Sequence, residues 1–132
     1  MRFNKYRVAP KEERTRNGIT YASKAEMEYA ALLDMIAPTL YSKVERQIRV
    51  ELGVPENVVV IDFRVTLKLS GTVQYIEVKG VETPKFRRDM KLWRAYGPGT
   101  LYVVARKGKK WVQTHTIVPG EPAPKRKRKS RQ

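Results

Sequence analysis

The sequence predicts an α/β domain in which a mixed five-stranded β-sheet is flanked by helices. Two observations lead to this prediction. Apolar residues recur with a helical period after residue 23 and again after residue 83, and five short runs rich in β-branched and aromatic residues occupy much of the remaining chain. The order is helix, three strands, helix and two strands, which favours an antiparallel meander followed by a crossover to the last two strands.

The first helix is predicted to begin at Ser23, because Ser23 and Glu26 have the spacing of a capping box. Its apolar pattern continues to Ile36, and the helix is expected to end before Pro38. Glu26 lies beside the apolar stripe, where a carboxylate needs a partner or a metal ion. Glu28 also has apolar helical neighbours and competes for this role, but Glu26 is the preferred candidate.

Three strands are predicted around residues 44–52, 57–69 and 72–79. In the second of them every odd position from Val59 to Leu69 is apolar, which is typical of a strand with one buried face. Ser70-Gly71 suits a two-residue turn in which Leu69 pairs with Thr72.

That register places Asp62 opposite Lys79 and Arg64 opposite Glu77, all on one face of the sheet. On the other face Phe63, Val65, Ile76 and Val78 are expected to enter the core. Asp62 and Glu77 are hard oxygen ligands, suited to Mg²⁺ or Mn²⁺, and Glu26 is a third candidate. A solvated face with a simple cross-strand ion pair between Asp62 and Lys79 would produce the same alternation. A purely structural role for these charged residues is therefore an open alternative.

The second helix is predicted to begin at Thr83 and Pro84, which suit the N-cap and the first helical position. Its apolar side carries Phe86, Met90 and Trp93. The other side is rich in lysine and arginine, and we expect it to contact phosphate groups. Two further strands are predicted at residues 101–105 and 111–115, joined by a basic loop.

Composition excludes several classes of protein. The chain of 132 residues contains no cysteine and a single histidine, His115, so zinc fingers and HNH nucleases, which need several such residues, are excluded. His115 is expected on a terminal strand and receives no catalytic role. No nucleotide-binding glycine motif occurs, so no nucleotide cofactor is expected. No apolar stretch is long enough to span a membrane, and a cytoplasmic, intracellular protein is expected.

The chain has a formal net charge of +15, and this excess predicts a polyanionic partner. Residues 121–132 carry six Lys or Arg and one Glu, hence +5, which leaves +10 for the rest of the chain. The sequence therefore divides into a basic, loosely structured N-terminal segment at 1–19, a domain at 20–118 and a disordered basic tail at 119–132.

Glu26, Asp62, Glu77 and Lys79 together resemble the motif of the PD-(D/E)XK nuclease superfamily: a helical Glu, an acid on a central strand and Glu-x-Lys on the next strand. Ile61 stands where the motif often has proline. The resemblance covers about residues 20–105 and extends to archaeal-type and phage Holliday junction resolvases. It implies a restriction-endonuclease-like fold, catalysis by these four residues, and a metal site formed by Glu26, Asp62, Glu77 and the carbonyl of Val78.

On this basis we expect a Mg²⁺- or Mn²⁺-dependent, structure-selective DNA endonuclease that cuts four-way junctions as a homodimer. A nuclease of the same fold that acts on flaps, nicks or DNA ends is one alternative, and a non-catalytic basic DNA-binding module is another. Gln47 resembles a glutamine of some phage relatives. The residues expected to contact nucleic acid are Arg14, Arg16, Lys24, Gln47, Arg64, Lys85, Arg87, Arg88 and Lys91.

Overall fold

A computed structural model of the protein describes residues 8–124. A short 3-10 helix at Lys11–Arg14 precedes all other elements. The elements that follow are β1 (Thr15–Arg16), β2 (Ile19–Thr20), α1 (Lys24–Leu40), β3 (Tyr41–Leu52), β4 (Val54–Leu67), β5 (Val73–Val78), α2 (Pro84–Tyr96), β6 (Leu101–Lys107) and β7 (Lys110–Ile117).

The main sheet has five strands in the order β3-β4-β5-β6-β7, with β5 and β6 parallel and the other neighbours antiparallel. This arrangement confirms the predicted mixed α/β sheet with two helices, and the predicted meander followed by a crossover. The helices cover opposite faces: Tyr75 packs in the cluster that contains Trp93 of α2, whereas the next residue, Ile76, packs in the cluster that contains Leu33 of α1.

Helix α1 begins as predicted but ends later. The Ser23 hydroxyl accepts a hydrogen bond from the Glu26 N–H at 3.0 Å, which satisfies one donor of the first turn. The predicted end before Pro38 is wrong, because the helix continues to Leu40. Proline removes one backbone donor, and this loss is tolerated in a last turn that is closed by the bond from the Tyr41 N–H to the Ala37 carbonyl.

The predicted two-residue turn between β4 and β5 is also wrong. The Leu67 N–H donates to Thr72 O at 2.8 Å, so residues 68–71 form a four-residue loop. Every pairing therefore moves by two positions, and Arg64 lies opposite Tyr75 instead of Glu77. Because side chains alternate with a period of two, this even shift keeps Phe63, Val65 and Ile76 together on one face, as predicted.

Strand β4 changes the side to which it contributes core residues. Val59 and Ile61 belong to the cluster against α2, whereas Phe63 and Val65 belong to the cluster against α1. The change occurs at Asp62. On the neighbouring strand Gln47 has a φ of +54°, a left-handed backbone conformation that is uncommon for residues other than glycine, next to the Arg46–Phe63 and Ile48–Ile61 pairs that flank this point.

The described part of the N-terminal segment is more regular than the sequence suggested. Asn17 and Gly18, with φ values of 52° and 78°, turn the chain between β1 and β2, and Asn-Gly is a typical sequence for such a hairpin turn. The Arg14 guanidinium donates to Ala9 O at 3.1 Å and to Tyr21 O at 2.6 Å. Residues 1–7 and most of the predicted basic tail, 125–132, lie outside the described residues. No helix within residues 8–124 is long and apolar enough to cross a membrane.

Candidate active site

The candidate site lies where β4 and β5 separate, which we call the β4–β5 fork and define by Asp62, Glu77 and Val78. Pairing between the two strands ends at Phe63 and Ile76, although β5 stays paired to β6 through Val78. The Asp62 carboxylate replaces the missing backbone partner, because its Oδ2 accepts a hydrogen bond from the Val78 N–H at 2.8 Å. This bond holds the carboxylate in the fork.

Glu77 lies beside Asp62 in the fork and is partly buried. Burial and a hydrogen bond to the Asp62 carboxylate raise the pKa of Glu77 well above its ordinary value, and the Lys79 ammonium opposes the rise. Two carboxyl groups this close favour sharing a proton or a cation between them. The pair therefore has the oxygen chemistry and the charge of a site for a hard cation.

Glu26 approaches the fork from α1, and its side chain is almost wholly enclosed, with the residue 2% exposed. Its Oε1 accepts a hydrogen bond from Gln47 Nε2 at 2.8 Å. Burial and the nearby Asp62 charge raise its pKa from 4.5 to about 7, against the opposing influence of Arg46, Gln47 and the Ala22 backbone. Of the two glutamates that competed on sequence grounds, Glu26 is the one that joins Asp62.

Glu28 has a different environment. Its Oε2 accepts a hydrogen bond from Arg106 Nη1 at 2.7 Å, so the carboxylate of Glu28 is engaged by β6. The difference between Glu26 and Glu28 follows from helical geometry, since residues two apart on a helix project about 160° away from each other when each advances the helix by about 100°.

Lys79 follows β5 and is partly buried beside Phe86 of α2, with its Nζ 5.3 Å from the ring centre. The predicted position directly opposite Asp62 changes with the four-residue loop, so the predicted Asp62–Lys79 cross-strand pair is not formed; Asp62 Oδ2 bonds the Val78 N–H instead. Lys79 nevertheless shares a cleft with Asp62 and Glu77.

This cleft has a volume of about 600 Å³ and is open to solvent. Glu26, Asp62, Glu77 and Lys79 all line it, together with the start of α1 and the segment after β5. A second groove of about 310 Å³ on the α2 side shares Glu77 and Lys79 with the cleft and is otherwise mostly apolar. The four predicted catalytic residues are thus brought to one cavity.

The donor set of the cleft fits a hard divalent cation in its chemistry, since only carboxylate and carbonyl oxygens are available from Glu26, Asp62, Glu77 and Val78. Within residues 8–124, however, no group of three His, Cys, Asp or Glu side chains is already arranged to hold a metal ion. Glu77 is hydrogen-bonded to Asp62, and Glu26 accepts a hydrogen bond from Gln47. A cation would have to draw these carboxylates together.

The residues predicted to contact nucleic acid fall into two groups. Some are engaged within the protein: Arg14 with backbone carbonyls, Arg16 with Asp34, and Arg64 with Glu45 through bonds of 2.5 and 2.9 Å. Gln47 is bonded to Glu26. The others are exposed on α1 or α2: Lys24 at the cleft, Lys85 beside Asp89, Arg88 beside Asn57, and also Arg87 and Lys91.

Sequence reasoning missed one cation at the site, Arg46. Its guanidinium lies 4.0 Å from Glu26 Oε1 and 4.5 Å above the Tyr21 ring. Its Nε is buried and has no hydrogen-bond partner within the described structure. No sequence signal marks Arg46, because it occupies an ordinary position in a strand and Glu26 lies 20 residues away along the chain.

Comparison of the chain with protein-family models, with curated proteins and with solved structures found no match.

Proposed function

We propose that the protein is a metal-dependent endonuclease that hydrolyses phosphodiester bonds in branched DNA. The observation that carries the proposal is the convergence of Asp62, Glu77 and Lys79 on one open cleft at the β4–β5 fork, with Glu26 beside Asp62. Two acids and an amine beside an open cavity are the groups that phosphodiester hydrolysis needs. The net charge of +15 supports a polyanionic substrate.

In this proposal Asp62, Glu77 and the Val78 carbonyl hold Mg²⁺ or Mn²⁺, and Glu26 supplies a further oxygen. Such an ion would supply Lewis-acid chemistry, polarising the scissile phosphate and lowering the pKa of a water molecule. Lys79 orients the attacking water and offsets the negative charge that develops on the phosphate oxygens. Asp62 also joins the two strands at the fork through its bond to the Val78 N–H, which fixes its own carboxylate beside Glu77.

The substrate proposed is a four-way junction, which is resolved by paired cuts in two strands and hence by a two-fold dimer. This choice of substrate rests on the resemblance to junction resolvases. Flaps, nicks and DNA ends are the alternatives for the same chemistry.

A non-catalytic DNA-binding module is the second candidate, and one observation favours it. Within residues 8–124 no three acidic side chains form a ready metal site, and the Glu26 and Asp62 carboxylates already have protein partners in Gln47 and Val78. In that case the acids serve to join α1, β3, β4 and β5, and the charge of the chain alone binds DNA.

The experiment that separates these functions is a cleavage assay with labelled four-way junction, flap, nicked duplex and intact duplex, each with Mg²⁺, with Mn²⁺ and with EDTA. We expect metal-dependent cutting of the junction in preference to intact duplex. The Glu77→Gln variant, purified in the same way, controls for contaminating nucleases. Cutting of flaps or nicks but not of junctions would show that those structures, and not the four-way junction, are the substrate. Absence of cutting with either metal would favour the binding module.

A further inference from the structure

The tip of the hairpin between β6 and β7 carries a cluster of exposed cations to which no function has been assigned so far. Lys107, Lys109 and Lys110 are all exposed, and Gly108, with a φ of +63°, makes the turn. Within residues 8–124 none of the three lysines forms an ion pair. We call this cluster the hairpin tip.

Strand register places the hairpin tip at the same end of the sheet as the cleft. Strands β5 and β6 run parallel, Val78 lies beside Val104, and the Lys79 N–H donates to Val104 O at 2.9 Å. β5 ends at this point, whereas β6 continues for three more residues to Lys107. At about 3.3 Å per residue, the hairpin extends roughly 10 Å past the end of β5.

The hairpin is also fixed to the helix that carries Glu26. Arg106 bonds Glu28 of α1 at 2.7 Å, donates to Gly108 O at 2.9 Å, and lies 5.2 Å from the centre of the Trp111 ring. Trp111 in turn packs edge-on against Tyr29 of α1, with ring centres 4.9 Å apart. These contacts neutralise Arg106 and Glu28, but they leave the three lysines of the tip available to a partner.

We propose that the hairpin tip is a DNA-binding arm that holds the phosphate backbone of a substrate duplex next to the cleft. The proposal rests on the proposed function, since it assigns the same DNA to both surfaces. A rigidly held, exposed lysine cluster suits the regular charge of duplex DNA, which carries one negative charge per about 1.7 Å of axis. Lysine makes point contacts with phosphate without reading bases, so binding through the tip is independent of sequence.

The test compares two double variants of the full chain that change the net charge equally, from +15 to +13. One is Lys107→Ala with Lys109→Ala at the tip. The control is Lys43→Ala with Lys68→Ala, which lie at the opposite end of the sheet, next to the pairing of Tyr41 with Leu67. Dissociation constants for a four-way junction and for duplex DNA are measured in EDTA over a range of NaCl concentrations, so that no cleavage occurs.

We expect the tip variant to weaken binding roughly tenfold or more near 0.15 M salt and to reduce the slope of log K against log salt by about 2, since each phosphate contact contributes about 0.9. The control variant should change the affinity and the salt-dependence slope by much less. Equal effects of the two variants would show that only net charge matters and would overturn the proposal, as would an unchanged slope in the tip variant. Binding to anionic phospholipid vesicles is measured in parallel, and a tip variant that lost vesicle binding but kept DNA binding would assign the tip to a membrane surface and overturn the proposal.

The outcome is independent of catalysis. A wild-type protein that cuts no substrate, combined with a selective loss of DNA binding in the tip variant, would reject the nuclease and retain the arm. Conversely, metal-dependent cutting with unchanged binding in the tip variant would retain the nuclease and reject the arm.

Discussion

The carboxylate of Asp62 accepts a hydrogen bond from the Val78 N–H at 2.8 Å, and Glu77 and Lys79 are the chain neighbours of Val78. One carboxylate therefore both joins β4 to β5 where their pairing ends and lies beside the other candidate catalytic groups. Because the structural and the chemical roles of Asp62 coincide, variants must be chosen to separate them.

Asp62→Asn separates the two roles. The Asn carbonyl oxygen can still accept the bond from Val78, but the negative charge is lost. If Asp62 binds the metal ion, cleavage should fall by roughly a thousandfold or more while DNA affinity is retained or increased, because a repulsive charge is removed from the cleft. Cleavage rates and DNA affinity in EDTA test this.

Asp89→Asn serves as the matched control for Asp62→Asn, since Asp89 pairs with Lys85 on α2 and should tolerate the change. DNA affinity that fell as steeply as cleavage would indicate that the Asp62 charge is structural.

Metal binding should be visible without any DNA. An ion that binds only the folded state stabilises it by about 2.7 kcal/mol at a concentration of 100 times its Kd, which raises the melting temperature by several degrees. We expect Mn²⁺ to produce such a shift in the wild-type protein, and Asp62→Asn and Glu77→Gln to abolish it. Glu82→Gln, which alters an acid paired with His115, should leave it unchanged. An equal rise in melting temperature in all four proteins would indicate that Mn²⁺ binds outside the β4–β5 fork.

The stability of the metal-free protein should depend on Glu26 and on pH. The pKa of Glu26 is about 7 in the folded state, compared with an ordinary value of 4.5. The folded protein therefore binds the proton of the Glu26 carboxyl group more tightly than the unfolded chain does. Stability is therefore lost as pH rises from about 4.5 to 7, by on the order of 3 kcal/mol, and stays low above that range. Glu26→Gln should thus stabilise the protein at pH 8 in EDTA and change little at pH 4.5.

The control for this effect is Glu28→Gln, two residues along α1, which removes only the exposed pair with Arg106. Urea unfolding at several pH values gives the free energies of unfolding. The interpretation fails if Glu26→Gln shifts the free energy of unfolding by the same amount at pH 4.5 and pH 8.

Much of the fold could be predicted because local patterns determined it. The alternation in β4, the cap at Ser23 and the start of α2 at Thr83 and Pro84 each depend on neighbouring residues. The Thr83 hydroxyl accepts the predicted bond from the Phe86 N–H at 3.1 Å. The grouping of Asp62 and Glu77 survived a wrong loop length because the error was two residues, and an even shift preserves the faces.

The remainder of the site depends on contacts between distant parts of the chain. Arg46 meets Glu26 across 20 residues, and nothing in the sequence near either residue indicates it. Likewise, no local pattern indicates the left-handed backbone of Gln47 or the point at which β4 separates from β5. The pairing of Glu28 with Arg106, 78 residues apart, is of the same kind.

Arg46 should be energetically coupled to Glu26. The two side chains lie 4.0 Å apart, with Glu26 enclosed, so Arg46→Met at pH 8 leaves a buried carboxylate without its nearest cation and should cost about 1–3 kcal/mol of stability. The same substitution in a Glu26→Gln background should cost at least about 0.5 kcal/mol less, a coupling measurable by a double-mutant cycle in urea. Arg49→Met, at an exposed position of the same strand, provides the control. Equal costs of Arg46→Met in the two backgrounds would mean that Arg46 contributes only by packing on Tyr21.

If the coupling is present, Arg46→Met should also weaken the stabilisation by Mn²⁺, because Arg46 favours the ionised form of Glu26 that a cation requires.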